Sequence, residues 1–203
     1  MNKVITIDRQ YGSGGREIGE KLAARFGIPF YDSKLISRAA DESGFSESAF
    51  ENAEKKASNS LLYSIAMGMS ACGNQDLGFS GLSLDDRIFL AQSAVIRKCA
   101  DEGPCVIIGR CAEYILKDRP DVVNLFVHAS IPFRVERAVT LDNVDRSKAM
   151  DTLIKTDKSR SNYYNYHSGA KWGLATNYHL SIDSSLFGID ATVENLYNLL
   201  NSL

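Results

Sequence analysis

Apolar positions along this chain fall into two rhythms that alternate. Short β-branched or aromatic runs, KVITI (3–7), IPFYD (28–32), CVIIG (105–109), VVNLFVH (122–128) and YHLSID (178–183), predict strands. Between them the apolar spacing turns helical. Ile18, Leu22 and Phe26 form one stripe that stops at Gly27. Leu84, Ile88, Val95 and Cys99 form another, opened by a Ser83/Asp86 capping box and closed by Gly103-Pro104. CAEYILK predicts a short helix, and Ser130 with Pro132 starts the helix IPFRVERAVTL. Asp190 opens a last helix with Val193, Leu196, Tyr197 and Leu200 inward. Strands apolar on both faces, alternating with helices, indicate an α/β fold with a parallel sheet covered on both sides.

Two segments interrupt that rhythm. Over 33–100, Ser33 can cap a helix to about Ser43, a soft helical pattern with Ser48-x-x-Glu51 follows over 46–69, and 70–83 is a glycine- and serine-rich stretch expected to be a mobile loop. Over 147–173 the pattern is helical at first, then polar and aromatic. Both segments are too polar for core, so they are expected over the C-terminal edge of the sheet, where ligands bind in this architecture. No internal repeat is present.

Composition narrows the class. With 203 residues, 44% hydrophobic and 24% charged, the chain can close one sizeable core but not two comfortable domains. A net charge of -2, from 23 basic and 25 acidic residues, gives no general pull toward nucleic acid or anionic membrane, so any anion site must be built locally. The opening MNKVITID has no leader pattern, and no apolar stretch reaches membrane-spanning length, so a cytoplasmic soluble protein is expected. Cys72, Cys99, Cys105 and Cys111 form no C-x-x-C, which favours buried free thiols over zinc or disulfides. His128, His167 and His179 are scattered, with no partner at ligand spacing.

The stretch VITIDRQYGSGGREIGEKLAARFG (4–27) concentrates the chemistry. A strand feeding a glycine-rich turn and then a helix N-terminus aims several backbone amides and the positive helix end at one place, which suits a phosphate. Gly12, Gly14 and Gly15 supply the backbone freedom, and Ser13 is either a phosphate contact or an ordinary turn residue. A dinucleotide fingerprint competes, since Asp32 ends the second strand where an acid would hold a ribose. That motif requires glycine at 17, where the chain has Glu17.

ITIDRQYGSGGREIGEKLAARFGIPFYD, then VIIGR, DKSR and YHLSID, in this order over nearly the whole chain, resemble the cytidylate kinase-like family, relatives of bacterial cytidylate kinase within the P-loop nucleoside monophosphate kinases. The resemblance implies a three-layer P-loop fold: a five-stranded parallel sheet with helices on both faces, a monophosphate-binding insertion at 33–100 and a lid at 147–173. It implies transfer of the γ-phosphoryl group of ATP, with Mg²⁺, to a nucleoside monophosphate such as CMP or dCMP. Gly12, Ser13, Gly14, Gly15, Arg16 and Glu17 would then bind the ATP phosphates, and Asp32, Ser33, Arg38 and Arg110 the acceptor. Arg16, Arg110, Asp157 and Arg160 would form the catalytic group, with Arg134, Arg137, Lys158 and Arg160 in the lid. Planar guanidinium groups suit bidentate phosphate contacts. Arg38 is equally readable as a solvated helix face, and Asp157 and Arg160 as a simple i, i+3 pair. Gln92 and Arg97 read as an ordinary polar face or the edge of a base pocket, and Tyr163, Tyr164, Tyr166 and Trp172 as packing or a nucleotide shield.

The loop departs from the P-loop pattern: no lysine follows its glycines, and Glu17 stands where a metal-binding hydroxyl belongs. Losing one charge-assisted contact in the transition state costs about 2–4 kcal/mol, roughly 30- to 1000-fold in rate, which slows phosphoryl transfer without abolishing it. Arg16, Arg9, Lys155, Lys158 and Arg160 are candidate replacements, and Asp8 or Glu17 candidate metal ligands. A non-catalytic nucleotide-binding module and an NAD-dependent oxidoreductase remain as alternatives.

Overall fold

The structure, a computed structural model, describes residues 3–32, 36 and 83–202. The expected helices over 33–43 and 46–69, the glycine-serine stretch up to residue 82, and Ser33, Arg38 and Cys72 lie outside the described residues. Five parallel strands form one sheet: β1 (Val4–Arg9), β2 (Phe30–Tyr31), β3 (Val106–Ile108), β4 (Val122–His128) and β5 (Leu180–Asp183), in the order β2-β3-β1-β4-β5. The register pairs Ile5 with Val106 on one side of β1 and with Val123 on the other. The helices are α1 (Gly15–Phe26), α2 (Leu84–Asp101), α3 (Ala112–Ile115), α4 (Ile131–Thr140), α5 (Arg146–Ser168), α6 (Ser184–Phe187) and α7 (Ile189–Asn201).

The central strands are buried on both faces, as their sequence requires. Ile5 and Ile7 join Ile18 and Leu22 of α1 and Val193, Leu196 and Leu200 of α7 in one core. On the other face Val4 and Ile107 pack with Ile96 and Ala100 of α2 and with Tyr163 and Tyr164 of α5. Each fully buried isoleucine contributes about 1.5–3 kcal/mol. The buried Thr6 hydroxyl is matched by Asn124 Oδ1 at 2.7 Å on the neighbouring strand, so no polar group is stranded there.

Several boundaries move for local reasons. Among the described residues β2 pairs only with β3, and it keeps just Phe30 and Tyr31 of IPFYD. β5 begins at Leu180, because Tyr178 turns inward to reach Asp8. The polar-aromatic stretch at 147–168 is one continuous helix: Asp145 caps α5 by accepting the Ser147 amide at 2.8 Å, and Gly169 closes it in the left-handed region. Its aromatic end is helical because Tyr163 and Tyr164 enter the core. The Ser83/Asp86 box forms, with the Asp86 amide 3.1 Å from Ser83 Oγ. The short α6 is absent from the sequence pattern; Asp183 caps it through the Ser185 amide. Cys99, Cys105 and Cys111 are free thiols. Burial pushes the Cys105 thiol up to about 12, which leaves it unreactive. Among the described residues no helix is long and apolar enough to cross a membrane.

Candidate functional site

The C-terminal end of β1 runs into the loop Gln10–Gly14 and then the N-terminus of α1. Gln10 pins the loop to β4: its amide donates to the Val127 carbonyl at 3.0 Å and its Oε1 accepts the Ala129 amide at 3.3 Å. Ser13 is fully buried and points inward, its hydroxyl donating to the Gln10 carbonyl at 2.8 Å. Ser184 Oγ donates to the Ser13 carbonyl at 2.6 Å. Ser13 is therefore a structural loop residue whose side chain is already engaged. Gly12 and Gly14 take φ of 75° and 79°, the left-handed region, and a Cβ on Gly12 would stand 2.6 Å from the Arg134 carbonyl oxygen.

This winding leaves the amides of Gly14, Gly15, Arg16 and Glu17 without an acceptor among the described residues, while the Ile18 amide already bonds Gly14 at 2.9 Å. They are the orphan donors of a helix start, and they border a cleft of about 390 Å³. Arg9, Arg16, Arg137 and Arg160 line the same cleft. Glu17 does not plug it. Its carboxylate accepts from Arg137 at 2.6 Å and pairs with Lys21 at 3.0 Å. Burial pushes the Glu17 carboxyl up, but the hydrogen bonds from Arg137 and Lys21 outweigh it and hold it below its usual value.

Arg16, the sequence's first substitute for the lysine, also lines this cleft, but its guanidinium is already paired. Its guanidinium reaches Asp32 at 3.0 Å and Glu20 at 3.0 Å and lies 5.6 Å from the Phe30 ring centre. The Glu20 carboxylate of α1 and the buried Asp32 after β2 hold it there, and Asp32 is thereby engaged as well. Arg160 instead donates to the Arg9 carbonyl at 3.0 Å and sits 5.8 Å from the Tyr11 ring centre, above the loop.

A second, smaller hollow of about 30 Å³ adjoins the cleft, lined by Arg110, Asp8 and Trp172 and again by Arg9 and Arg160. Arg110 follows β3 in the left-handed region at φ 57°, an uncommon state for arginine, with its guanidinium 5.9 Å from the Tyr163 ring centre. Arg9 and Arg160 thus stand between the loop amides and Arg110.

The remaining expectations separate. Asp8 Oδ2 accepts Trp172 Nε1 at 2.7 Å and the Tyr178 hydroxyl at 3.2 Å, and its Oδ1 accepts the Arg9 amide at 2.9 Å. Asp8 and Glu17 border different hollows, and the structure does not join them as a metal pair. Among the described residues no group of three or more His, Cys, Asp and Glu side chains gathers as a metal site. Arg134 and Asp157 form an ion pair on the Tyr11 backbone, and Arg137 faces Glu17. Lys155, Lys158 and Arg97 are exposed. Gln92 is buried rather than on a polar face, its Oε1 accepting the Tyr163 hydroxyl at 2.9 Å. Tyr163 and Tyr164 are core packing, while Tyr166 is exposed and donates to Asp86 at 3.2 Å.

Sequence reasoning passed over Tyr11, Ser184 and the buried Glu113. Tyr11 lies inside the glycine-rich stretch 4–27, and that position is the one signal that could have found it. Ser184 and Glu113 carry no local signal, because the groups they meet, Ser13 and His128 for one and Tyr164 and Asp8 for the other, lie about fifty or more residues away.

A parallel sheet in this strand order, with a glycine loop between its central strand and a helix, defines an α/β fold of the P-loop kinase type. A profile of the cytidylate kinase-like family matches residues 4–186, and the chain belongs to that family. Among solved structures, an uncharacterized protein from Eubacterium ventriosum is 25% identical, with a TM-score of 0.74 and 99% of each chain covered. Shikimate kinase from Bacteroides thetaiotaomicron is 14% identical, with a TM-score of 0.56 and 99% of each chain covered. Shikimate kinase from Acinetobacter baumannii, solved with shikimate, is 14% identical, with a TM-score of 0.53 over 100% of this chain and 94% of that one. These two kinases share the fold. No curated protein matches the chain.

Proposed function

We propose that this protein is an ATP-dependent nucleoside monophosphate kinase that transfers the γ-phosphoryl group of ATP to CMP, dCMP or a similar acceptor. The observation that carries the reading is the arrangement of two adjoining hollows: unpaired loop amides in one, Arg110 in the other, and Arg9 with Arg160 lining both. Phosphoryl transfer asks mainly for positioning and for positive charge around the migrating group, and two guanidinium groups between donor and acceptor supply that charge. The donor phosphates would rest on the amides of Gly14 to Glu17, with Arg137 beside them. Arg110 would hold the acceptor phosphate. Arg160, with Arg9, takes the part expected of Arg16, whose guanidinium is occupied by Asp32 and Glu20.

Mg²⁺ belongs to this reading only as an ion brought in on the phosphates of ATP. Asp8 and Glu17 do not fit as its direct ligands, since each carboxylate is already committed to protein donors. Mg²⁺ commonly keeps several waters and takes its other ligands from phosphates.

The test is a coupled assay of ADP release with CMP, dCMP, UMP, AMP and GMP. Acceptor-dependent release, greatest with a cytidine nucleotide, is the expected result. Release no greater than from ATP alone would refute the kinase reading. The missing lysine and the engaged Arg16 favour one alternative, a nucleotide-binding module without turnover. Nucleotide affinity indifferent to Mg²⁺, together with no ADP release, would establish it.

A further inference from the structure

Asp157, expected in the catalytic group, and Arg134, expected in the lid, are both engaged with the loop backbone. Arg134 is 6% exposed; its Nε donates to the Tyr11 carbonyl at 2.7 Å, and its Nη2 pairs with Asp157 Oδ2. Asp157 Oδ1 in turn accepts the Tyr11 amide at 2.7 Å. A single ion pair bridging α4 and α5 therefore takes both backbone groups of one loop residue. One turn along α5, Arg160 holds the Arg9 carbonyl, and beyond the helix Trp172 holds the Asp8 carboxylate. The chain entering the loop is gripped at Asp8, Arg9 and Tyr11 by one helix and its extension.

The glycines just past Tyr11 make this grip consequential. Gly12 and Gly14 have little intrinsic preference for the conformation they adopt, so the direction of the later amides depends on what fixes the peptides beside them, Tyr11 before Gly12 and Ser13 after it. Ordering such a loop before a ligand arrives removes an entropic cost from binding. Hydrogen bonds with a charged partner, such as these two, are stronger than neutral ones.

We infer that Asp157 and Arg134 are positioning residues for the donor-phosphate loop. They hold the Tyr11 peptide so that the amides of Gly14 to Glu17 face the cleft, and neither touches a substrate. The inference rests on the proposed kinase reading for what the loop binds, and it reassigns Asp157 from the catalytic group. It also makes α5 a clasp on the start of the loop: the helix cannot leave without releasing the Tyr11 amide and the Arg9 carbonyl, while Gln10 and Ser13 stay tied to β4 and Ser184.

Asp157→Ala and Asp157→Asn test it, since asparagine keeps an oxygen for the Tyr11 amide. Three measurements are compared with wild type: thermal melting, hydrogen exchange of the Ser13 and Ile18 amides, which bond the Gln10 and Gly14 carbonyls, in the ligand-free protein, and calorimetric affinity for ATP and for CMP. Asp157→Ala is expected to stay folded, to speed loop exchange at least about tenfold, and to weaken ATP about 10- to 100-fold while CMP stays within about twofold. Asp157→Asn should recover most of the loss. Unchanged loop exchange and ATP affinity, or an equal loss for CMP, overturns the inference. Should wild type bind no ATP, the kinase reading fails separately, and loop exchange alone decides the clasp. If Asp157→Ala does not fold, Arg134→Lys is the substitute, because one ammonium cannot serve the Tyr11 carbonyl and Asp157 together in the guanidinium's geometry.

Discussion

Glu113 lies 5% exposed on α3, and its Oε1 has no hydrogen-bond partner among the described residues. Burial first, and the nearby Asp8 charge second, push its carboxyl from 4.5 up to about 8, against opposing hydrogen bonds from main-chain amides and Tyr164. The folded protein thus keeps a proton that the unfolded chain releases above pH 4.5. Its contribution is complete below that value and is lost as pH rises through about 8. Glu113→Gln, which cannot ionise, is expected to lessen the decline in melting temperature between pH 5 and pH 9; scanning calorimetry that finds parallel wild-type and variant curves would contradict this. Arg160 makes a second prediction at this scale. On the proposed kinase reading, Arg160→Ala should lower kcat/KM for phosphoryl transfer by about 100- to 1000-fold, the loss expected when a charge beside the transferred group is removed, with the coupled assay as the readout. Arg16→Ala should cost far less, since its guanidinium lies against Asp32 and Glu20. An assay that ranks the two variants the other way would return Arg16 to the role of the missing lysine.

The loop with α1 is the element on which the site depends, and it was the most legible part of the sequence. A β-branched run, glycines and an apolar stripe at helical spacing each have a direct conformational meaning, and β1, the turn and α1 follow them. Gly14→Ala is expected to cost about 1–2 kcal/mol from its left-handed backbone and to weaken ATP binding, because the new methyl group meets Ile189 and the Arg137 guanidinium. Thermal melting and ATP titration of this variant measure the two effects. α5 was less legible. Its charged and polar surface hides two tyrosines whose burial depends on α2 and β3, and no local period announces contacts of that kind. The same limit applied to Ser13, which read as a candidate phosphate contact until the Gln10 and Ser184 bonds showed its hydroxyl and carbonyl both engaged.

For the whole molecule, a ligand that binds only the folded state must stabilise it. ATP at about 100 times its dissociation constant should add about 2.7 kcal/mol, which for a chain of this size raises the melting temperature by roughly 5–11 °C. A melt insensitive to ATP at millimolar concentration would remove the basis for donor binding in the cleft. The sequence by itself determined the alternation of strands and helices, the parallel sheet and the glycine loop. Those features arise from side-chain periodicity and backbone freedom, which act over a few neighbouring residues. Only the tertiary structure decided which arginines face the loop, that Asp157 and Arg134 grip Tyr11, and that Asp8 is committed to Trp172 and Tyr178. A long charged side chain has many reachable partners, and its choice among them is made by groups that folding brings in from distant parts of the chain.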